Sequence, residues 1–325
     1  MANKKLDELL ERVGRLKAEI AKVIVGQDEV IERLLIAFLC RGHALLVGVP
    51  GLAKTLMVST FAQALDLTFR RVQFTPDLMP SDITGTEVLE EDQKTKERRF
   101  RFIQGPVFTN LLLADEINRT PPKTQSALLE AMQEGSVSYN GITYPLPQPF
   151  FVLATQNPIE QEGTYPLAEA QLDRFFFEIR INYPSEREEL EIVRRTTSGE
   201  IPRACKVLGA EEVLEIQSLI RQAPVADHLE ELAVDVARKT RPADSPLASV
   251  REWVAWGAGP RASQALVLAA KAKAILSGRV APSREDLFDC ALAVLRHRVI
   301  LNFRAHAQGR SVDEIVAEIV KSAKF

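Results

Sequence analysis

Leu45-Leu46-Val47-Gly48-Val49-Pro50-Gly51-Leu52-Ala53-Lys54-Thr55 reads as the end of a strand, a loop punctuated by glycine and proline, and the first turn of a helix continuing to about Leu65. That order is the context a phosphate-binding loop requires. Backbone N–H groups of the loop and of the helix N-terminus face the phosphates, the Lys54 ammonium reaches the β and γ oxygens, and Thr55 ligates Mg²⁺. The pattern GxxxxGK[ST] is broken once, at Ala53, where the last glycine would stand. Alanine accommodates helical φ, so the loop is expected to keep its function.

Outward from this loop, between His43 and about Tyr183, short apolar runs alternate with helical segments. HALLVG (43–48), TFRRVQF (68–74), NLLLADE (110–116), FFVLATQ (150–156) and FFFEIRI (175–181) are all strand-length. The rhythm predicts an α/β fold in which helices cover a parallel sheet. Two segments interrupt it with hairpin signals of their own: TEVLEEDQKTKERRFRFI (86–103), and SVSYNGITYPL (136–146) with its Asn140-Gly141 turn. Upstream, Leu6, Leu9, Leu10, Val13, Leu16 and Ile20 recur at helical spacing, and a second helix is predicted from Asp28 to about Cys40. After Ser198-Gly199 helical patterns take over, through 211–222, 226–240, 260–276 and 283–298. The expectation is a nucleotide-binding α/β domain over residues 1–199 and an all-α lid over 200–325, with the ligand crevice at the carboxyl ends of the strands.

Bulk properties bound the function classes. A chain of 325 residues is long enough for two compact domains. Lys+Arg 41 against Asp+Glu 44 leaves a net charge of -3, too little to draw in a phosphate backbone from a distance, so nucleic acid is not an expected partner. Cys40, Cys205 and Cys290 are odd in number and lack CxxC spacing; the expectation is buried thiols rather than disulfides or a zinc site. The N-terminus is too charged for a signal peptide, no apolar run is long enough to span a bilayer, and the expected location is the cytoplasm.

Asp115 and Glu116 end an apolar strand about 60 residues beyond the phosphate loop. Side chains alternate across a strand, so the two acids are expected to divide the work. Asp115 fits the metal side beside Thr55, and Glu116 then faces the γ-phosphate, where a carboxylate orients and deprotonates the attacking water. Asn157, after the strand 150–156, is either an amide that positions this water or a turn former before Pro158. Arg174, closing a short helix, and Arg261, at a proline-initiated helix in the second domain, are either phosphate ligands or surface arginines.

Taken together, VGQ (25–27), GVPGLAKT (48–55), LLLADEINR (111–119), LLEAMQEGSV (128–137), ATQNP (154–158), EAQLDRF (169–175) and GPRA (259–262) resemble, in order and spacing, the MoxR family of AAA+ ATPases. In that family Ala53 is usual. The resemblance implies ATP and Mg²⁺ as cofactors, with Val25, Gly26 and Gln27 at the adenine and Gly48 through Leu56 around the phosphates. It implies that Asn157 is sensor 1, that Arg261 is sensor 2 in the lid, and that Arg174 is an arginine finger presented to a neighbouring subunit; Arg119 is a second-ranked interface arginine. A homo-oligomeric ring, usually a hexamer, follows from a finger that acts in trans. Residues 86–103 become a helix-2 insert and 136–146 a pre-sensor-1 hairpin. The function implied is chaperone-like remodelling, activation or metal-cofactor insertion of client enzymes, often partners with a von Willebrand factor A domain. A chelatase-type motor for tetrapyrroles and a nucleic-acid motor are the alternatives.

Overall fold

The computed structural model describes residues 2–91, 98–159, 163–197, 199 and 202–323, with the side chains of 2–7, 9 and 10 outside the description. Helices α1 (Ala2–Val23) and α2 (Asp28–Leu39) precede strand β1 (Ala44–Val47). Next come α3 (Lys54–Ala64), β2 (Phe69–Gln73), α4 (Pro80–Thr84), β3 (Gly85–Glu91), β4 (Arg98–Gln104), β5 (Leu111–Asp115) and α5 (Pro122–Glu134). They are followed by β6 (Ser136–Tyr139), β7 (Ile142–Pro145), β8 (Phe151–Gln156), α6 (Glu169–Leu172), β9 (Phe177–Arg180) and α7 (Glu186–Thr197). The C-terminal part holds α8 (Ala210–Gln222), α9 (Asp227–Lys239), α10 (Ala248–Trp253), β10 (Val254–Trp256), α11 (Pro260–Leu276), α12 (Arg284–Leu295), β11 (Ile300–Leu301), α13 (Phe303–Ala307) and α14 (Val312–Ser322).

The five apolar runs of the sequence form one parallel sheet in the order β2-β5-β8-β1-β9. Its central strands are buried on both faces, which is why they read as continuous apolar runs rather than as alternation. Successive residues nonetheless enter different cores. Leu45, Leu112, Ala114, Val152 and Ala154 pack with Leu128, Leu129 and Met132 of α5. Leu46, Leu111, Leu113, Phe151 and Leu153 face the opposite core with Leu34, Leu35 and Phe38 of α2 and Met57 and Phe61 of α3.

That second core runs on without a break into the C-terminal helices, through Ile216, Ala265, Leu266 and Ala269. Polar contacts follow the same seam, because Gln217 donates to the Phe38 carbonyl at 2.8 Å and Arg41 to Gln217 at 3.1 Å. The helical lid therefore leans on the back of α2 and along β9, and it also carries a short antiparallel pair, β10 with β11. The expected boundary near residue 200 falls where 198, 200 and 201 lie outside the described residues. At the N-terminus Val13, Leu16 and Ile20 are buried as their spacing predicts, while Leu6, Leu9 and Leu10 belong to the undescribed side chains. Cys290 is buried and Cys40 half-buried, but Cys205 is exposed, because it precedes α8 in a connecting segment rather than sitting on a packed face.

Both expected ribbons form. β3 and β4 pair antiparallel from Gly85 with Gln104 to Glu91 with Arg98, and residues 92–97 between them lie outside the described residues. β6 and β7 are joined by Asn140 and Gly141, at φ 47 and 78, the left-handed pair that an Asn-Gly hairpin turn needs. The ribbons lean on one another: the Phe102 ring stacks on Tyr144 at 4.4 Å, and Asn140 donates to Glu87 at 2.7 Å.

His43, at the amino end of β1, is buried between these layers. Its Nε2 meets the Met132 carbonyl at 3.1 Å and its Nδ1 accepts the Val152 N–H at 3.0 Å, so the neutral ring is fully used. Burial lowers its pKa to about 4, below an ordinary histidine. The unfolded chain therefore binds the proton more readily than the native one, and stability present above pH ~6.5 is lost as pH falls toward 4. Lowering the pH from 7 to 5 is expected to cost about 2 kcal/mol through His43 alone, measured by urea unfolding. A stability unchanged over that interval would contradict the assignment.

Candidate active site

Because every strand of the sheet points the same way, β1, β5 and β8 deliver their carboxyl ends to one edge. The loop 48–53 leaves β1 there and leads into α3, whose first residue is Lys54. The Lys54 amine, half-buried, donates to the Gly48 carbonyl at 2.5 Å. Burial lowers its pKa, while the neighbouring carboxylates of Asp115 and Glu116 pull it back up. Lysine and acid pair thus share one edge, as a nucleotide and its metal require. Ala53 departs from the expected helical conformation. It sits at φ 54, ψ 26, in the left-handed region, because the chain must reverse sharply between Gly51 (φ 85) and the helix. For a residue with a Cβ that conformation costs roughly 1–2 kcal/mol.

The division between the two acids does not come from strand alternation. Asp115 is the last residue of β5, and Glu116 has already left the strand at φ 58, opening a short 3₁₀ turn, Ile117–Arg119. The buried Thr155 hydroxyl of β8 latches this turn, donating to Asp115 Oδ1 at 2.6 Å and accepting the Glu116 N–H at 2.9 Å. Each carboxylate also has a partner from β2 or the turn. Arg71 reaches Asp115 Oδ2 at 2.6 Å, Gln73 reaches Glu116 Oε2 at 2.7 Å, and Arg119 reaches the same oxygen at 2.9 Å. Residues 71 and 73 share a face of β2, so one edge strand holds both acids.

Asn157 is buried at the end of β8 beside the loop, and its Oδ1 accepts the Ile159 N–H at 3.2 Å, the bond of a local turn. On the other flank of the loop, Ile24, Val25, Gln27, Gly51, Leu52, Ala53, Leu56, Met57, Pro184 and Ile192 enclose a hollow of about 140 Å³. Gln27 braces it by donating to the Asn182 carbonyl at 3.1 Å. Gly26 lies against Glu188, where a Cβ would come within 2.4 Å of a carboxylate oxygen. A half-buried ammonium, a glycine loop with open space at Gly51 and an apolar hollow at its side fit a nucleoside triphosphate. Thr55, exposed at the first turn of α3, and Asp115 are the oxygen donors suited to its magnesium.

Arg174 and Arg261 are elsewhere. The Phe176 N–H bonds to the His43 carbonyl, so residues 173–176 lie at the amino edge of the sheet, separated from Gly48 by about 13 Å of strand. Arg261, at the N-terminus of α11, joins them by donating to Asp173 at 3.3 Å. Both line a second, more open hollow with Arg41, His43 and Arg298, and neither lines the hollow beside the phosphate loop.

Sequence reasoning overlooked Thr155, Arg71, Gln73 and the α7 wall of the hollow. A hydroxyl within an otherwise apolar buried run was the signal for Thr155, and polar residues spaced by two on a strand were the signal for the β2 pair. Nothing in α7 distinguishes Ile192 or Thr196 from an ordinary amphipathic face.

Comparison with known proteins agrees with this geometry. Residues 43–177 match the model of the ATPase family associated with various cellular activities (AAA), and residues 248–319 match the AAA lid domain. The chain is 47% identical over 303 residues to Chaperone MoxR1 of Mycobacterium tuberculosis, covering 93% of this chain and 78% of that protein. It is 43% identical over 319 residues to the YeaC protein of Bacillus subtilis, covering 98% and 96%. A crystal structure from Cytophaga hutchinsonii superposes with a TM-score of 0.91 at 44% identity, covering 98% of this chain and 96% of that one.

The left-handed Ala53 yields an expected ranking. Ala53→Gly should hold or raise the melting temperature, since ~1 kcal/mol of strain is relieved against some added freedom of the unfolded chain, whereas Ala53→Val should lower it. A valine variant as stable as the parent would show that the loop is not left-handed at this position.

Proposed function

Because the chain belongs to the MoxR family of AAA+ ATPases, we propose that it hydrolyses Mg-ATP at the carboxyl edge of its sheet and uses the resulting motion to remodel client proteins. In this reading residues 1–199 form the nucleotide-binding domain and 200–325 the lid. Lys54 holds the β and γ phosphates, and Val25, Gly26, Gln27, the loop 48–53 and Leu56 enclose base and phosphates. Thr55 and Asp115 hold the magnesium, which supplies a positive charge against the developing charge of the transferred group. Glu116 orients and deprotonates the attacking water once Gln73 and Arg119 give up its carboxylate, with Asn157 helping to fix that water.

The observation that carries the reading is the separation of parts between the two edges of one sheet. Lysine and acids meet at one edge and two arginines at the other, which supports Arg174 and Arg261 acting on the nucleotide of an adjacent copy. Arg119, already bonded to Glu116 of its own chain, is the weaker candidate for that role. Head-to-tail contacts of this kind close into a ring, here a hexamer. The clients are partner enzymes, including those with a von Willebrand factor A domain, and the family resemblance together with the two joined ribbons supports this.

Arg174→Ala is expected to bind ATP as the parent does and to lose turnover by ~10³-fold or more. Mixing it with Glu116→Gln subunits should restore hydrolysis, because an intact Glu116 then meets an intact finger. No recovery in the mixture would sink the trans assignment. Glu116→Gln with ATP bound should also retain a client from native extract that Arg174→Ala with ADP does not; equal profiles from both would count against remodelling.

A further inference from the structure

Arg298 follows α12, and its side chain is only 4% exposed. A guanidinium taken out of water is costly unless its five N–H groups are all met. Here Nε donates to Asp173 Oδ1 at 2.8 Å. Nη1 donates to the carbonyls of Phe176 at 3.2 Å and Val294 at 2.5 Å. Nη2 donates to the carbonyls of Asp173 at 3.3 Å and Phe175 at 2.6 Å. Four of these five bonds fall on residues 173–176, to either side of Arg174. The neighbouring His297 adds its Nε2–H to the Phe175 carbonyl at 3.0 Å.

The grip reaches further through Asp173. Its Oδ1 is held by Arg298, and its Oδ2 accepts from Arg261, so one carboxylate orients an arginine of the site and is itself oriented from the lid. Among the described residues nothing bonds the Arg174 guanidinium, which remains half-buried on the same surface. Stability alone does not call for this construction, since a buried ion pair is often no better than apolar residues of the same volume. What a planar, five-donor fork adds is fixed direction, and lysine, a point charge on a flexible stem, lacks it.

Building on the reading of Arg174 as a finger for the adjacent copy, we propose that Arg298 is its positioning residue, so that the finger each subunit offers its neighbour is set by that subunit's own helical lid. Motion of the lid then moves residues 173–176 with it, and the neighbour's hydrolysis answers to it.

Complementation in mixed assemblies tests this. Arg298→Met and Arg298→Lys are expected to bind a fluorescent ATP analogue like the parent and to lose kcat by about 10²-fold at unchanged KM, part of the full worth of a finger. Mixed with Glu116→Gln subunits, either variant should regain hydrolysis, because its intact Glu116 meets the neighbour's well-set finger. Mixed with Arg174→Ala subunits, neither should, because both partners then offer a defective finger. Recovery in this last mixture overturns the proposal, as it would place the effect of Arg298 inside its own subunit's site; an unchanged kcat or a weakened analogue affinity overturns it as well. Should Arg298→Met fail to fold, Arg298→Lys carries the test. The Arg174→Ala with Glu116→Gln mixture is the control: its failure removes the trans reading and this proposal together, whereas its success beside recovery of the Arg298 with Arg174 mixture removes the proposal alone.

Discussion

The parallel direction of the five strands is the constraint on which the rest depends. Parallel strands send all their carboxyl ends to one edge, and there the sheet places the phosphate loop, the Asp115-Glu116 turn and the end of β8 side by side. The same direction sends every amino end to the other edge, where His43 ties β1 to α5 and where residues 173–176 enter β9. A molecule built this way has two chemically different edges, one carrying Lys54 with Asp115 and Glu116, the other Asp173 with Arg174, Arg261 and Arg298.

Local strain gathers at the first edge. Ala53 and Glu116 both adopt left-handed backbone, at φ 54 and 58, on the two loops that leave β1 and β5 at that edge. Such conformations persist only where the surroundings over-determine them. For Glu116 the surroundings are explicit: the Thr155 hydroxyl bonds its N–H, and Gln73 and Arg119 bond its carboxylate. Burial of Thr155 within an apolar strand makes that latch stiff, because a hydroxyl removed from water without partners would be heavily penalised. The carboxylate, by contrast, is held through exposed or half-exposed side chains, which exchange partners cheaply.

The second edge is held by the lid. Asp173, Arg298 and Arg261 form one chain of charge-assisted bonds across the seam between sheet and helices, and the apolar core crosses the same seam between α2 and α11. The lid is therefore packed along β9 and behind α2, joined to the arginine edge rather than closed over the loop. Apolar packing fixes where the lid rests, and the polar bonds fix how the segment before β9 is turned.

Much of this was legible in the sequence, for local reasons. Buried parallel strands must be apolar on both faces, so FFVLATQ and NLLLADE announced themselves, and an Asn-Gly pair between apolar runs announced the β6–β7 turn. The loop 48–55 and the acids at the end of β5 stood out as candidates because phosphate and metal chemistry demands particular groups at fixed short spacing. What the sequence by itself determined was the elements, the sheet and the set of chemically able residues. Only the tertiary structure decided that Arg174 and Arg261 stand together away from the loop, that Arg298 grips the segment between them, that Thr155 latches the two acids, and that Ala53 turns left-handed. The reason is physical: those facts depend on which edge of a sheet a side chain reaches and on what it meets there from residues 40 to 125 positions away, and neither is carried by the spacing of residues along the chain.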